Sequence, residues 1–280
     1  MVNTLISGII SIFIGVLVNP FLFIPRSDLG ANLYVYPGKE SESKLLEETG
    51  NQAMSQNSDW WLNSGGLIFW NGESGRTIQG ALSIFDKWRQ IYQRTNSLDT
   101  DNGEHPQNIF RLVSRNELQS LEQEVYFKIN RINLSQSPNR NQSNGVLFFN
   151  RYLDGDNLYY VGLRVDGQAV IKKKINGIYY TMAITPVYKD GFGYNRDSNP
   201  NLLPENQWIG IRSRILNDES GKVNIELFID KEGNGNWVSI LKAEDNGKYY
   251  GGKAIKNAGR YGIRTDFMDV EFEGYKVASI

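Results

Sequence analysis

The residues best equipped for chemistry gather between positions 150 and 215, where Arg, Lys, Tyr and Trp recur at alternate positions. Tyr160 and Arg164 share one parity in a first run, Lys172 and Lys174 in a second, and Trp208, Arg212 and Arg214 in a third; Arg151 stands beside Tyr152. Aromatic rings offer faces for stacking, guanidinium forks offer paired donors, and an ammonium offers a point charge to an anion. A second reading of the same residues stays open: Tyr and Trp fill the rim of a packed domain while Arg and Lys solvate an ordinary outer face.

Other chemistries are excluded or thinly represented. The chain of 280 residues has no cysteine, so thiolate catalysis, disulfides and cysteine zinc sites are absent. Its one histidine, His105, rules out two-histidine metal motifs, and in the polar stretch 101–106 it reads as a solvated loop residue. The 30 Lys+Arg nearly balance the 31 Asp+Glu, for a net charge of −1, which argues against a nucleic-acid partner. Asp269, Glu271 and Glu273 alternate along one run and read as a solvated strand face.

Calcium is the cofactor to weigh. Asp230, Glu232 and Asn234 place oxygen side chains at every second position, as an oxygen-lined loop needs, and Asp154, Asp156 and Asn157 form another such loop. The first is equally well explained as a hairpin turn through Gly233, Asn234 and Gly235. Asn133 and Asn141 open glycosylation sequons in a polar loop.

These side chains must be positioned by strands. Between 125 and 131, 158 and 166, 208 and 215, and 222 and 230, apolar residues alternate with polar ones at period two. The pattern predicts that Val161, Leu163, Ile209, Ile211, Ile225 and Leu227 are buried, with Tyr160, Arg164, Trp208 and Arg212 on the opposite faces. Shorter runs of the same kind begin at 109, 146, 170, 179, 237, 261 and 267. Asp-Gly and Asn-Gly pairs at 154, 166, 176 and 246 supply hairpin turns. Ten or more strands with no helix between them predict an all-β domain of two packed antiparallel sheets.

Residues 1–25 carry no charged side chain. The apolar run 5–24 has about the 20 residues that a membrane-spanning helix needs. It is expected to be one N-terminal hydrophobic helix serving as an anchor. A cleaved signal is the weaker reading, since no basic start and no small-residue cleavage site precede Arg26; a core or interfacial element is the third. Residues 26–57 are expected to be a linker with a loose helical turn over 40–48, leaving 58–280 as the β domain.

The order of residue blocks resembles the concanavalin A-like lectin/glucanase superfamily, the jelly-roll group that includes laminin-G-like domains. The blocks are Asp59-Trp60-Trp61 with Ser64-Gly65-Gly66, then residues 109–113, 158–161, 171–174 and 179–181, Trp208, and 262–267. The resemblance implies a jelly-roll sandwich with an extracellular, carbohydrate-related role, secreted or held at the cell membrane by a single pass. Relatives of the laminin-G type often hold calcium on a loop. Under this reading Tyr160, Arg164, Lys172, Lys174, Trp208, Arg212 and Arg214 line a polar sheet face that binds a polysaccharide, neutral or acidic. The catalytic patterns of the superfamily are not met. Asp269-Val270-Glu271-Phe272-Glu273 has the wrong order and spacing for a retaining glucanase pair. Arg115-Asn116-Glu117-Leu118 is followed by Gln119 where alginate-lyase-like members carry a second Arg, and no Gln-x-His is present. A glycan-binding protein is therefore the leading expectation. A polysaccharide lyase or glycoside hydrolase of the same fold with a different catalytic set is one alternative, and a structural or adhesive surface protein is another.

Overall fold

The computed structural model describes residues 33–35, 44–70, 74–189 and 191–280. The run 5–24 and the anchor expected of it lie outside the described residues. Among the described residues, no helix is long and apolar enough to cross a membrane.

Two antiparallel sheets pack face to face, consistent with a jelly-roll sandwich. In spatial order the seven-stranded sheet runs β11 (Ile178–Pro186), β10 (Gln168–Ile175), β9 (Asn157–Arg164), β8 (Gly145–Asp154), β15 (Gly259–Asp266), β6 (Ile109–Leu118) and β3 (Trp60–Ser64). The nine-stranded sheet runs β14 (Val238–Asp245), β13 (Val223–Asp230), β12 (Ile209–Asn217), β7 (Leu121–Ile132), β16 (Met268–Ser279), β5 (Ser74–Thr77), β4 (Leu67–Trp70) and β2 (Lys44–Glu47). A short strand, β1 (Leu33–Val35), also pairs with β16.

Period-two alternation sorts the side chains as the sequence predicts. Val161, Leu163, Ile209, Ile211, Ile225 and Leu227 all lie between the sheets, at 2% exposure or less. Burying each such side chain contributes roughly 1.5–3 kcal/mol. Phe110 of one sheet stacks on Phe272 of the other at 5.8 Å between ring centroids, and Trp60 meets Tyr261 and Tyr275 edge-on. At the turn from β10 to β11, Asn176 and Gly177 both take positive φ, 49° and 80°, as a two-residue turn between right-twisted strands requires.

Two expectations are corrected. The charge-dense patch at 40–48 is not helical where it is described: Lys44–Glu47 is strand β2, paired with β4, with Leu46 buried in the core. The β domain therefore recruits strands from what reads as a linker. A helix also interrupts the strands. Helix α1 (Lys87–Thr95) is capped by Asp86, whose carboxylate accepts from Trp88 N at 2.7 Å, and it buries Trp88 and Tyr92 one turn apart on one face. Two buried aromatics in nine residues are too faint a period to be recognised from sequence. The Tyr92 hydroxyl ties the helix to the sandwich by donating to Glu48 at 2.5 Å and accepting from Gly65 N at 2.8 Å.

Candidate functional site

The outer face of the seven-stranded sheet holds an open cleft of about 470 Å3. Its floor is built across five strands. Arg111 on β6 stands in register with Arg264 on β15, and Arg264 with Leu147 on β8. One row along, Phe149 on β8, Tyr160 on β9 and Lys172 on β10 are in register. Residues in register share a face, so alternation along each strand carries all of these outward. Beneath the polar tips, Val113, Leu147, Phe149, Leu158, Tyr160 and Val170 form an apolar layer of their own, with Trp61 and Tyr152 packed against it.

Walls close the cleft at two ends. Tyr179 on β11 stacks on Tyr160 with ring centroids 5.8 Å apart and is itself 51% exposed at the mouth of the cleft. The segment joining β7 to β8 brings Asn139, Asn141, Ser143 and Asn144 to the other side. It is pinned by Arg140, which donates to Ser135 O at 2.6 Å and Asp197 at 2.7 Å. Phe267, at the sharp turn where the chain leaves β15 for β16, closes the corner with a φ of 56°.

The electrostatics of the cleft are unbalanced. Arg111, Lys172 and Arg264 line it against two carboxylates, Asp99 and Asp266. Asp99 is occupied by Ser137 at 2.5 Å and Asn139 at 2.9 Å. Asp266 holds Arg264 at 2.5 Å through one oxygen, while its other oxygen and Arg264 Nε are buried without a hydrogen-bond partner. Arg264 also lies over the Tyr160 ring at 5.0 Å. Neither Arg111 nor Lys172 makes a side-chain ion pair or hydrogen bond among the described residues. Burial, then the charges of Arg164 and Arg264, push the Lys172 ammonium down to about 8, partly opposed by Asp166 and Asp266. Burial would raise the Tyr179 hydroxyl, but the charges of Arg264 and Lys174 and hydrogen bonds with Tyr160 and Arg264 leave it below its ordinary value. Burial raises Tyr160 to about 12.

The seven residues singled out from the sequence do not share one surface. Tyr160 and Lys172 are in the cleft. Lys174 is at its rim, pairing with Asp156 at 3.1 Å and lying over the Tyr179 ring at 4.9 Å. Arg164 shares the Tyr160 face but is 7% exposed and locked to Asp166 at 2.5 Å and Gln142 O at 3.2 Å. Trp208, Arg212 and Arg214 belong to the opposite sheet, on or beside β12, so the expected joint surface with Tyr160 and Arg164 does not exist. Arg212 pairs with Glu124 at 2.6 Å and covers the Trp237 ring at 4.4 Å. Arg214 pairs with Glu122 at 2.6 Å, and Lys128 lies over Trp208 at 5.0 Å. Arg151 is fully buried at one end of the sandwich, where it donates to Gln119 O, Asn217 and Ile255 O.

Most of the remaining acidic candidates are engaged within the fold. The Asp230 carboxylate is fully buried and accepts from Gly235 N at 2.5 Å, Asn234 N at 3.3 Å and the Tyr126 hydroxyl at 3.0 Å, which closes the hairpin. Glu232 and Asn234 are exposed, and among the described residues no group of three or more acidic or histidine side chains is placed to hold a metal. Asp154 similarly caps its own turn, accepting from Asp156 N and the Asn157 amide. His105 is 8% exposed rather than solvated, held 3.6 Å from Asp101. Asp269 is also buried and accepts from Gly80 N, Gln107 and Asn133, because a bulge in β16 takes it off the face that exposes Glu273. That contact buries the amide of the Asn133 sequon; Asn141 stays at the cleft wall.

Arg111 and Arg264 are the site residues that sequence reading missed. Both sit inside the blocks that carry the family resemblance, and their parity along β6 and β15 is the signal that places them outward.

No protein-family model matches the chain, and no curated protein matches it. Among solved structures, it is similar to the carbohydrate binding module CBM66 from Bacillus subtilis, with 10% identity over 80% of this chain and 98% of that one and a TM-score of 0.48. It is also similar to the exoplasmic/lumenal domain of VIP36 in a Ca2+/Man-bound form (9% identity, 88% and 92% covered, TM-score 0.42). A third is the Bacillus licheniformis β-glucanase (11% identity, 85% and 98% covered, TM-score 0.39). At these levels the chemistry of the cleft has to be argued from its own residues.

Proposed function

We propose that this protein is a glycan-binding β-sandwich of the concanavalin A-like type, and that its ligand lies in the cleft over the seven-stranded sheet. The observation that carries the reading is the union of an exposed tyrosine ring, an apolar floor and outward-pointing donors in one open groove. A sugar presents C–H patches and hydroxyls together, and needs a ring face for the first and paired donors for the second. Tyr179 supplies the ring; Arg111, Arg264, Asn139 and Asn141 supply donors. Binding on so open a face is weak per site. The uncharged run 5–24 supports a further part of the proposal, that the domain is tethered at a membrane surface, where many copies raise avidity without new contacts.

Retention of the full-length protein on immobilised polysaccharides tests the reading. Tyr179→Ala should weaken retention about 5- to 10-fold, the size of one lost stacking contact, with the thermal transition unchanged. Undiminished retention in that variant means that the cleft is not the site.

A further inference from the structure

We infer that the cleft is built for an anionic group on the glycan, a carboxylate or a sulfate ester, seated between Arg111, Arg264 and Lys172. This rests on the glycan reading above and narrows its ligand to acidic chains. Arg111 and Arg264 are directly opposed on neighbouring strands. Like charges in that relation destabilise a sheet, and the one carboxylate beside them, Asp266, engages Arg264 alone. Lys172 adds a third cation to the same cleft. Asp266 takes a single donor of the Arg264 fork, and Nε stays buried with no hydrogen-bond partner among the described residues. The neighbouring lysines of β10 are paired: Lys173 meets Asp245 at 2.8 Å inside the sandwich, and Lys174 meets Asp156 at 3.1 Å at the rim. Arg111 and Lys172, which meet no carboxylate among the described residues, therefore converge with Arg264 where a ligand can enter.

The charge state of Lys172 makes the site responsive to pH. The groups facing it are Tyr160 and Arg164 on β9, Asp166 in the following turn, Tyr179 on β11, Arg111 on β6, Arg264 and Asp266 on β15, and Asp99 on the cleft wall. Loss of the Lys172 proton near pH 8 removes one of the three cations, so anion affinity falls as pH rises through that region.

Calorimetric titration of the full-length protein separates the outcomes. The probes are a 1,4-linked uronic acid tetrasaccharide, its methyl ester, a sulfated neutral tetrasaccharide and its unsulfated parent. The uronate or the sulfated probe should bind at least about tenfold more tightly than its uncharged counterpart, as expected for charge-assisted hydrogen bonds, and which of them does so identifies the anion. Arg111→Gln and Lys172→Gln should each erase most of that difference, and Lys172→Gln should abolish the weakening near pH 8. Lys242→Gln, which removes an equal charge from the other sheet, should change nothing. If charged and uncharged probes bind equally and the Arg111 and Lys172 variants bind as the parent does, the anion site is refuted while glycan binding stands. If no probe binds at all, the glycan reading falls with it.

Discussion

On the outer face of the nine-stranded sheet, Arg212 and Arg214 reach across to Glu124 and Glu122, Lys276 to Glu124, Lys128 to Glu271 and Lys242 to Glu226. On the outer face of the seven-stranded sheet, Arg111 and Lys172 reach no carboxylate among the described residues, and Arg264 meets Asp266 through one oxygen only. Both faces carry arginine, lysine and aromatic rings at alternate positions. The acids on facing strands make the difference: Glu122 and Glu124 on β7 stand in register with Arg214 and Arg212 on β12, whereas Arg111 finds Arg264 opposite. A cation inside a lattice of acids is spent on the fold. One without a counter-ion is available to a ligand. Strand β10 repeats the lesson in consecutive residues, with Lys172 unpaired in the cleft, Lys173 sealed in the core and Lys174 paired at the rim.

The sharpest way to break this contrast is at β10. Lys173→Met leaves the Asp245 carboxylate buried with only neutral donors, the Tyr159 hydroxyl at 2.7 Å and Gly247 N at 2.9 Å; it should cost about 3–5 kcal/mol in a denaturant titration. Lys172→Gln should cost almost nothing by the same measure. Equal losses would mean that Lys172 also holds the fold.

A smaller effect is expected on the other sheet. Glu122 is 3% exposed and serves Arg214 and Arg212. Glu122→Gln should lower stability by roughly 1–3 kcal/mol and leave glycan retention per folded molecule unchanged. Lost retention with stability intact would move the site to that face.

The smallest effect is a pH trend. The Lys172 ammonium titrates near 8 in the folded protein against an ordinary 10.5. Between those values the unfolded chain binds more protons, so stability rises with pH across the window. The full-length protein should gain thermal stability from about pH 8 toward 10.5 relative to Lys172→Gln. A bound anion should flatten the gain by holding the proton on Lys172. Parallel curves for the two proteins would show that Lys172 is solvated like a surface lysine.

Much of this was legible in the chain itself. Period-two alternation is a property of the extended backbone, so the sequence alone assigned Val161 and Ile211 to the interior, Tyr160 and Lys172 to an outer face, and Lys173 to the side opposite its neighbours. Turn chemistry joined β8 through β11 into hairpins, because Asn-Gly and Asp-Gly favour the tight reversals that strands accept. Which sheet a strand joins is not local. The chain crosses between sheets on the way from β11 to β12, and that crossing put Trp208 and Arg212 on the far side of the molecule from Tyr160. The register that gives Arg212 a glutamate and Arg111 an arginine arises between strands distant in sequence. So do the bulge that buries Asp269 and the packing that makes a helix of 87–95. Alternation tells a side chain which way to face, but only the assembled sheets decide what it faces, and the counter-ion across the strand is what separates a structural arginine from a binding one.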